Sequence, residues 1–447
     1  MPPLPLVVPL CRMPRAMRIC VLGAGIAGLA AAYHLGRDGH EVTVLDREAG
    51  PGLGTSKANG GQLSYSYVAP LAAPGVARKG MHWILDGEAP LRLKPQADPR
   101  LWRWLKAFLR ASRREVFEQG TREMLALAYH SRGVLDAMMA RDPLDFSWRQ
   151  NGKLVVFRDE GDLRGAASLV AYQARYGAKQ QVLDARECLA LEPALRDTAE
   201  KLAGGVFTPD EAVGDAHGFC EALRGVLRGW PNIRFRFNHP VTALRLRNGA
   251  VVAAESPAGL VEADAFVLSS GIGALSLAEP LGLMLPLYPL KGYSLTVPTR
   301  AGDLPPEISI TDAHHKVVYA LLDRATESAE GRLRVAGMVD LVGFATDLVQ
   351  RRLDTLTRQA REVFPAAADW PRAQPWAGLR PATPDWKPIL GPSGVDGLWL
   401  NLGHGGLGFT IGCGTGELLA AMIAGRETGI PVEPYAMGRV TRTAQAA

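Results

Sequence analysis

Apolar and polar residues in the first 46 positions form a strand, helix and strand pattern. Residues 18–22 are an apolar run that predicts a strand, and residues 41–45 are a second such run. Between them, residues 27–35 are rich in alanine and predict a helix that Gly39 ends. This order of elements predicts a βαβ unit with two parallel strands.

The rest of the chain predicts further strands and helices in mixed order. Strands are expected at residues 232–238 and 264–271, which could join the first two, and at 290–298 and 331–340 in a second sheet, with one more at 398–402. Helices are expected at about 97–138, 160–176 and 346–362. Residues 242–256 predict a hairpin in which Asn248-Gly249 forms a type I′ turn. The fold class is therefore mixed α/β.

The composition is that of a globular protein with an excess of glycine. The chain has 447 residues, of which 47% are hydrophobic and 21% charged, and this length allows two or three domains. The net charge of +5 is spread along the chain without a basic tract, so no nucleic-acid partner is expected. The 49 glycines, about 11% against roughly 7% on average, cluster at residues 23–61 and 403–416. Such clusters indicate backbone that comes close to a ligand.

The cysteines and the first residues of the chain indicate in which cellular compartment the protein is expected. Five cysteines occur without a CxxC pair: Cys11, Cys20, Cys188, Cys220 and Cys413. We expect free thiols in a reducing, cytoplasmic compartment. A metal site is not expected. Residues 1–16 predict a disordered extension, and no later run approaches the 18 apolar residues of a membrane-spanning helix.

The turn after the first strand carries the most specific motif. Gly23, Gly25 and Gly28 form a GxGxxG pattern, and Asp46 closes the second strand 18 residues after Gly28. Glycines here let a pyrophosphate approach a helix N-terminus, while the carboxylate accepts from ribose hydroxyls and repels the 2′-phosphate of NADP. NAD and FAD remain as alternatives. The glycine-rich loop at 50–62 favours a ring system that extends past the sheet edge, such as a flavin.

A second glycine cluster follows the strand at 398–402. Residues 403–406 predict a loop that leads into a helix, with Gly412, Gly414 and Gly416 along one side. A helix start aimed at a reduced flavin would stabilise its negative charge. The alternative is that these glycines only allow a helix to pack tightly.

Five stretches together resemble a known family. They are "TSKANGGQ", "YPLKGYSLTVP", "GMVDLVGFATDLVQRR", "WAGLRPATPDWKPILG" and "LWLNLGHGGLGFTIGCGTGELL". From about residue 17 to 425, the chain resembles the small, flavin-bearing subunit of bacterial D-amino acid dehydrogenase. That family lies within the wider group of D-amino acid oxidase, glycine oxidase and sarcosine oxidase.

The resemblance implies a two-domain flavoprotein with non-covalent FAD. A Rossmann-type FAD-binding domain would be assembled from discontinuous segments, residues 17–80, 204–280 and 376–447. A substrate domain with a mainly antiparallel sheet would comprise residues 81–203 and 281–375.

The resemblance also implies the reaction. A D-amino acid would be oxidised by hydride transfer from Cα to flavin N5, and water would convert the imino acid to a 2-oxo acid and ammonia. The electrons would pass to a membrane quinone-type acceptor, which places the protein in the cytoplasm or peripherally on the inner face of the bacterial inner membrane. Three alternatives stay open: an enzyme for a cyclic or N-substituted amino acid such as D-proline, D-hydroxyproline or sarcosine, an NAD-binding protein, and a nucleotide-binding scaffold.

Site residues follow by motif. The resemblance implies cofactor binding by Gly23, Gly25, Ile26, Ala27, Gly28, Asp46, Arg47, Asn59, Gly60, Gly61, Gln62, Gly403, His404, Gly405, Gly406 and Gly408. Arg380 lies between prolines, which predicts a guanidinium held on a stiff loop. The resemblance implies that Arg380 binds the substrate carboxylate, with a structural ion pair to Asp385 as the alternative. Tyr293 and Lys291 are further candidates for substrate contact.

Some segments depart from the family forms. Trp386 and Lys387 follow "TPD", where smaller residues are expected, and residues 64–70 and 319–335 also differ. Such departures would reshape the side-chain pocket, so a preference for alanine-like substrates does not follow from the resemblance.

Residues 100–114 predict a basic amphipathic helix. Its apolar face is predicted to contain Leu101, Trp104, Leu105, Phe108 and Leu109, with arginines and a lysine mostly elsewhere. This pattern is typical of a helix in a membrane interface, and equally of a surface helix packed on a core.

Overall fold

The computed structural model describes residues 16–76, 89–94 and 96–439. The extension predicted at residues 1–16 therefore lies, apart from residue 16, outside the described residues. The same holds for Cys11 and for the domain boundary predicted between residues 80 and 81. The four described cysteines are free, as the sequence predicted, and each of them is buried.

The described residues contain strands and helices in mixed order. The strands are β1 (Arg18–Leu22), β2 (Glu41–Leu45), β3 (Gln62–Leu63), β4 (Leu91–Leu93), β5 (Lys153–Phe157), β6 (Gln181–Leu183), β7 (Gly204–Thr208), β8 (Ala212–Val213), β9 (Ile233–Arg236), β10 (Ala243–Arg247), β11 (Ala250–Ser256), β12 (Gly259–Glu262), β13 (Ala265–Leu268), β14 (Tyr288–Thr299), β15 (Ser309–Asp312), β16 (Val317–Asp323), β17 (Gly331–Leu341), β18 (Gln374–Ala382), β19 (Ile389–Pro392) and β20 (Leu398–Leu402). The α-helices are α1 (Ile26–Arg37), α2 (Pro99–Ala111), α3 (Arg114–Arg141), α4 (Glu160–Ala174), α5 (Ala185–Leu191), α6 (Ala216–Arg228), α7 (Ala274–Ala278), α8 (Gln350–Val363) and α9 (Gly408–Ile423). The predicted mixed α/β fold class is confirmed.

The first sheet has the order β19-β20-β13-β1-β2-β9. All its pairings are parallel except that of β19 with β20. Its carboxyl edge therefore gathers the turns that follow β1, β2, β13 and β20, which is where such sheets bind ligands. The strands predicted at 232–238 and 264–271 both join this sheet.

The second sheet has nine strands and is mainly antiparallel. Its main path is β18-β14-β17-β16-β15-β5-β7-β6, and β4 pairs with β17. One face packs on α8 through residues such as Leu295, Val335 and Leu356. The other face lies towards the turns of the first sheet, because Gly60 lies against Val318 and Ala336.

Of two predicted domain boundaries, the one before residue 204 assigns a strand of the second sheet to the FAD-binding domain, and the one before residue 376 divides another strand of that sheet. Strand β7 begins at Gly204, and β18 contains residue 376. We propose that the boundaries lie after Thr208 and after Ala382 instead.

A separate small sheet contains the predicted hairpin. Strands β10 and β11 pair with each other, and Asn248 and Gly249 between them have φ angles of 52° and 83°. Two successive positive φ angles are those of a type I′ turn, so this prediction is confirmed.

The helix predicted at 97–138 is two helices. Helix α2 ends at Ala111, and its C-cap is Ser112, whose hydroxyl donates to the carbonyl of Leu109 over 2.7 Å. Arg113 then has an extended backbone with ψ of 140°, and α3 begins after it. Without glycine or proline at this point, the periodic pattern gave no sign of the break.

The glycines of α9 serve two faces of the helix. A Cβ atom at Gly412 would lie 2.7 Å from Cγ2 of Ile26, and one at Gly416 would lie 2.6 Å from the carbonyl carbon of Ala30, both on α1. Gly414 instead faces Ser131 of α3. The expectation that all three line one side is therefore wrong, and close helix packing explains them.

We expect Gly416→Ala to destabilise the protein by about 1–3 kcal/mol, because the methyl group meets backbone that cannot move without separating two helices. The midpoint of thermal unfolding measures this. Gly133→Ala is the matched control, since Gly133 lies exposed in α3 with nothing within 4 Å of its Cβ position. Alanine there should stabilise the helix by up to about 1 kcal/mol. Equal effects at both positions would contradict the packing role.

Candidate functional site

The turn after β1 has the geometry that its glycines predict. Gly23 has a φ angle of 114°, and its N–H donates to the carbonyl of Leu45 over 2.8 Å. A Cβ atom at Gly28 would lie 1.9 Å from the carbonyl oxygen of Gly23. Gly25 is open by comparison, since the nearest atom to its Cβ position is Oγ of Ser56 at 3.5 Å. The turn and the start of α1 therefore form a backbone cradle.

Asp46 lies beside this cradle. Its carboxylate accepts from the backbone N–H groups of Ala24, over 2.6 Å, and Glu48, over 2.9 Å. Burial raises the pKa of Asp46 above its usual value. Arg47 points away, with its guanidinium 3.2 Å from a carboxylate oxygen of Glu48 at the surface.

The cradle fits a dinucleotide. The hydroxyls of Ser269 and Ser270, just after β13, are buried without a hydrogen-bond partner in the described structure. They adjoin Gly23, whose Cβ position is 2.7 Å from the carbonyl oxygen of Ser269. Ile26 is instead buried against α9, and the Ala27 carbonyl accepts from Asn401 over 3.2 Å, so these two offer a ligand only backbone atoms.

The loop at residues 55–62 crosses the second sheet. Asn59 accepts from the N–H of Gly61 through its side chain over 3.0 Å, and its carbonyl accepts from Arg334 over 2.7 Å. The side-chain amide of Gln62 donates to the carbonyls of Ile310 (2.9 Å) and Tyr319 (3.3 Å).

Glycine leaves this loop little side-chain bulk against the second sheet. A Cβ atom at Gly61, which has a φ angle of 73°, would lie 2.7 Å from Cδ2 of Leu322. At Gly60 it would lie 3.1 Å from Cγ2 of Val318. The backbone of the loop is therefore held directly on the sheet.

The loop at residues 403–408 reaches the same place from the other side. Gly403 and Gly405 have φ angles of 75° and 53°, and the N–H of Gly405 donates to the carbonyl of Pro381 in β18 over 3.0 Å. Gly406 follows in the same loop, and Gly408 begins α9, whose N-terminus has no side-chain cap. Its first N–H groups can therefore face an anionic or electron-rich ligand.

His404 turns inward and is not a proton donor here. Its Nε2 lies 2.9 Å from Oγ1 of Thr415, and burial lowers its pKa to about 4. The ring is therefore neutral and contacts the protein itself.

Arg380 lies between these two loops. Its Nη1 donates to the carbonyl of Met338 over 3.0 Å, and its guanidinium lies flat on Gly292, where a Cβ atom would be 2.3 Å from Nη2. A β-bulge in β17 gives Met338 a φ angle of 63° and aims that carbonyl at Arg380. No carboxylate among the described residues pairs with Arg380, and burial lowers its pKa to about 10.

The expectation that Arg380 sits in a loop is wrong, because it lies in strand β18. This strand is at the edge of its sheet, and its neighbour is β14. The carbonyls of Leu379 and Pro381 accept from Thr55 and Gly405, so odd-numbered residues turn their backbone groups outward. Pro375 and Pro381 therefore occupy positions where no ladder N–H is needed, which an edge strand tolerates.

The alternative partner of Arg380 is engaged elsewhere. Asp385 binds Arg439, with Oδ2 2.9 Å from Nε. Lys387, one of the departures from the family pattern, pairs with Glu123 over 2.6 Å. The structure therefore does not support an ion pair between Arg380 and Asp385.

Tyr293 and Lys291 lie on the opposite face of β14 from Arg380. Tyr293 donates to Asp340 over 3.3 Å and packs in the core under α8. Lys291 is 1% exposed and binds Asp347, with Nζ 3.1 Å from Oδ1. Because alternate residues of a strand point to opposite faces, the expected substrate contacts of these two do not fit the structure.

A buried polar cluster beside Gln62 was not predicted from the sequence. Lys153 is 2% exposed, and its Nζ donates to Gln62 (3.0 Å) and Ser64 (2.8 Å). Glu211 is equally buried; one oxygen accepts from the N–H of Ser66 over 2.8 Å and the other has no partner in the described structure. A lysine within an apolar strand such as "GKLVVF" gives no local signal of this kind.

Burial lowers the pKa of Lys153 from 10.5 to about 8. Between these values the unfolded chain holds more protons than the folded one, so this group makes stability rise with pH from about 8 to about 10.5. We therefore expect the midpoint of thermal unfolding of wild type, relative to that of Lys153→Met, to increase as the pH rises across this range. Lys201→Met, at the surface, is the control for losing a lysine. Parallel pH profiles of wild type and Lys153→Met would contradict a charged, buried Lys153.

Comparison with known proteins adds a family match. Residues 18–422 match the family model described as FAD dependent oxidoreductase. The chain is 46% identical over 435 residues to D-amino acid dehydrogenase 2 of Ralstonia nicotianae, covering 95% of this chain and 100% of that protein. It is 47% identical over 416 residues to D-amino acid dehydrogenase 2 of Pseudomonas aeruginosa, covering 93% and 97%.

Solved structures share the fold at lower identity. Glycine oxidase from Geobacillus kaustophilus superposes with a TM-score of 0.73 at 21% identity, covering 95% of this chain and 99% of that one. L-proline dehydrogenase from P. horikoshii gives a TM-score of 0.74 at 16% identity, covering 96% and 98%.

Proposed function

This chain belongs to the FAD dependent oxidoreductase family, and on that premise we propose that it is a dehydrogenase that oxidises D-amino acids to 2-oxo acids and ammonia. The two relatives named above support the D-amino acid as substrate, since each aligns over more than nine tenths of this chain. FAD is the cofactor of the family. The predicted resemblance is thereby confirmed.

The observation that carries the proposal is the state of Arg380. A guanidinium that is partly buried, bound to one carbonyl and unpaired with any described carboxylate has donors left for an anion. Arginine supplies a planar, bidentate and permanently charged partner for a carboxylate. Its place between the loops at 55–62 and 403–408 puts the bound carboxylate next to the proposed flavin site.

The proposed cofactor residues divide by region of FAD. Gly23, Gly25 and Gly28 with the start of α1 would hold the pyrophosphate, and Asp46 the ribose. The loops at 59–62 and 403–408 would hold the ring system, with N–H groups at the start of α9 facing its electron-rich edge.

The reaction needs orientation more than side-chain chemistry. A neutral amine loses a hydride from Cα and a proton from nitrogen, and the resulting imino acid adds water and releases ammonia. FAD, when bound, supplies the acceptor for the hydride. Arg380 fixes the carboxylate and hence the direction of the Cα–H bond, which is a large source of rate acceleration. His404, neutral and bound to Thr415, is not needed as a base.

Anaerobic reduction of the bound flavin tests the proposal. The purified yellow protein is mixed without oxygen with D-alanine, L-alanine and D-proline, and the visible flavin band is followed. We expect D-amino acids, and not L-alanine, to bleach the band. Bleaching by D-proline alone would favour an enzyme for cyclic substrates, and flavin that no amine reduces would refute the proposed function.

We further propose that a quinone-type acceptor at a membrane takes the electrons and that α2 lies near that membrane. None of the helices in the described residues has the length and hydrophobicity that a membrane crossing requires. The predicted apolar face of α2 does not lie free either, because Leu101 and Trp104 are buried against Tyr288 and Leu290. Leu109 is the exposed member of the predicted face, and the other exposed apolar side chains nearby, Trp102 and Met284, lie outside it.

Three exposed apolar side chains and the basic residues beside them form a surface that we call the docking edge. Trp102 is 53% exposed, Leu109 49% and Met284 74%. Arg103 and Lys106 lie on the same helix, and Arg103 contacts the sulfur of Met284 over 3.6 Å. Apolar groups with basic residues between them suit an anionic lipid surface.

The double variant Trp102→Ser, Leu109→Ser should bind anionic vesicles at least about tenfold more weakly than wild type, because each buried apolar side chain contributes about 1.5–3 kcal/mol. Cosedimentation with phosphatidylglycerol vesicles measures this. The double variant Leu246→Ser, Leu260→Ser, at exposed positions of β10 and β12, is the control. Equal binding of all three proteins would contradict docking through α2.

A further inference from the structure

Two side chains lie flat on the open face of the second sheet, each over a glycine. The guanidinium of Arg380 covers Gly292, and the indole of Trp376 covers Gly378, where a Cβ atom would lie 2.0 Å from Cη2. Gly292 and Gly378 are direct partners across β14 and β18. Residues opposite each other in such a pair have Cβ positions about 4.5–5.5 Å apart. The guanidinium and the indole are therefore neighbours in one layer.

The shared face follows from the strand geometry. Trp376, Gly378 and Arg380 are alternate residues of β18 and point the same way. Their neighbour Ala377 points the other way and packs on the core under α8. The two in-strand glycines are what allow two large planar groups to lie side by side on the sheet.

Packing does not explain the indole of Trp376. Within the described residues it belongs to none of the apolar clusters, and it is partly exposed. Its cross-strand partner Ser294 is small, with a buried hydroxyl that has no partner in the described structure. Trp386 differs, because it packs with the cluster of Trp104 and Tyr288. A large aromatic surface therefore remains open beside Arg380.

We propose that Trp376 is the wall of the substrate side-chain pocket and that it selects D-amino acids with large apolar or aromatic side chains. The inference rests on the proposed function, because it takes the carboxylate on Arg380 as given. One bond separates that carboxylate from Cα, so the side chain begins within reach of the indole. Apolar burial and aromatic contact then favour a large apolar group. A cationic side chain would lie beside the guanidinium and is disfavoured.

Two measurements on the purified holoenzyme test this wall. In the first, acetate and phenylacetate are titrated against the oxidised protein, and the shift of the flavin spectrum gives each dissociation constant. The two ligands share a carboxylate and differ by a phenyl group. We expect phenylacetate to bind at least about tenfold more tightly than acetate, which corresponds to about 1.4 kcal/mol. Trp376→Leu should reduce this ratio to below about threefold, and Trp376→Phe should restore most of it.

In the second, anaerobic flavin reduction is followed with D-alanine, D-leucine, D-phenylalanine and D-lysine. We expect wild type to prefer D-phenylalanine and D-leucine over D-lysine, and Trp376→Leu to lose at least about tenfold on D-phenylalanine relative to D-alanine. Leu260→Ala, at an exposed position of β12, should match wild type.

The outcomes distinguish a failure of the role proposed for Trp376 from a failure of the proposed dehydrogenase function. An unchanged phenylacetate to acetate ratio in Trp376→Leu, or equal losses on D-alanine and D-phenylalanine, would overturn the role of Trp376 while leaving the dehydrogenase in place. Failure of every D-amino acid to reduce the flavin of wild type would instead refute the proposed function, and the carboxylate titration would still decide whether the indole forms an apolar wall.

Discussion

Arg380→Leu should raise KM for D-amino acids by about 100-fold, with a smaller fall in kcat, while FAD stays bound. Removing one partner of a hydrogen-bonded charge pair costs about 2–5 kcal/mol, and each 1.4 kcal/mol is tenfold in binding. The carboxylate is bound both before and during the reaction, so the loss falls mainly on KM. Steady-state kinetics with an artificial acceptor measure both constants.

The same substitution should leave the fold as stable as before, or more so. The guanidinium is partly buried and bound to the Met338 carbonyl, no described carboxylate pairs with it, and burial lowers its pKa to about 10. A partly buried charge without an opposite charge beside it costs folding free energy, and leucine removes that cost. We therefore expect an unfolding midpoint at or above that of wild type, alongside the kinetic loss.

Two controls define the role of Arg380. Arg380→Lys keeps the charge but loses the planar fork, and its KM should fall between those of wild type and Arg380→Leu. Arg372→Leu, at a surface arginine that pairs with Glu330, should leave the kinetics unchanged. A lower unfolding midpoint together with normal KM in Arg380→Leu would show that the residue is structural.

Gly28→Ala should abolish FAD binding. The new methyl carbon would lie 1.9 Å from the backbone oxygen of Gly23, so either the turn or the start of α1 must move. Because both belong to the proposed pyrophosphate site, we expect the protein to be purified nearly colourless, with a lower unfolding midpoint. Overpacking against backbone costs about 1–3 kcal/mol or more. The ratio of flavin to protein absorbance and a thermal scan measure the two effects.

Gly25→Ala is the matched comparison, because Gly25 belongs to the same turn as Gly28 but has room for a methyl group. Gly25 has an ordinary φ of −79°, and the nearest atom to its Cβ position is 3.5 Å away. The apoprotein should therefore fold as wild type does, whereas FAD should bind more weakly because the methyl group stands where the pyrophosphate approaches. A normal FAD affinity in Gly25→Ala, or a coloured and stable Gly28→Ala, would contradict the assigned cradle.

The nucleotide half of the fold could be predicted because its signals are local. The strand at 18–22, the glycine turn, the helix and Asp46 follow within 30 residues, and the structure places them as expected. The hairpin at Asn248-Gly249 is local in the same way. Each of these signals depends on backbone dihedrals or on one helix face, which neighbouring residues determine.

The faces of the second sheet could not be predicted in this way. Strand β14 is buried along nearly its whole length, so its sequence lacks the alternation of apolar and polar residues that marks one face. Nothing local therefore tells whether Tyr293 or Gly292 points towards the cofactor loops. The motif makes Arg380 a candidate, whereas no local pattern marks Trp376, because the face on which it lies depends on pairing with a strand more than 80 residues away.

The first sheet joins strands from both ends of the chain, and this sets when the protein can capture its cofactor during synthesis. Strand β1 pairs with β13, β13 pairs with β20, and α9 then covers α1. While residues 398–423 are still inside the ribosome, the nascent chain exposes the alanine face of α1. It also lacks one glycine loop of the proposed flavin site. Contacts of such long range form slowly, and domains of this size expose apolar surface until they close. FAD should therefore bind only after residues 398–423 have left the ribosome.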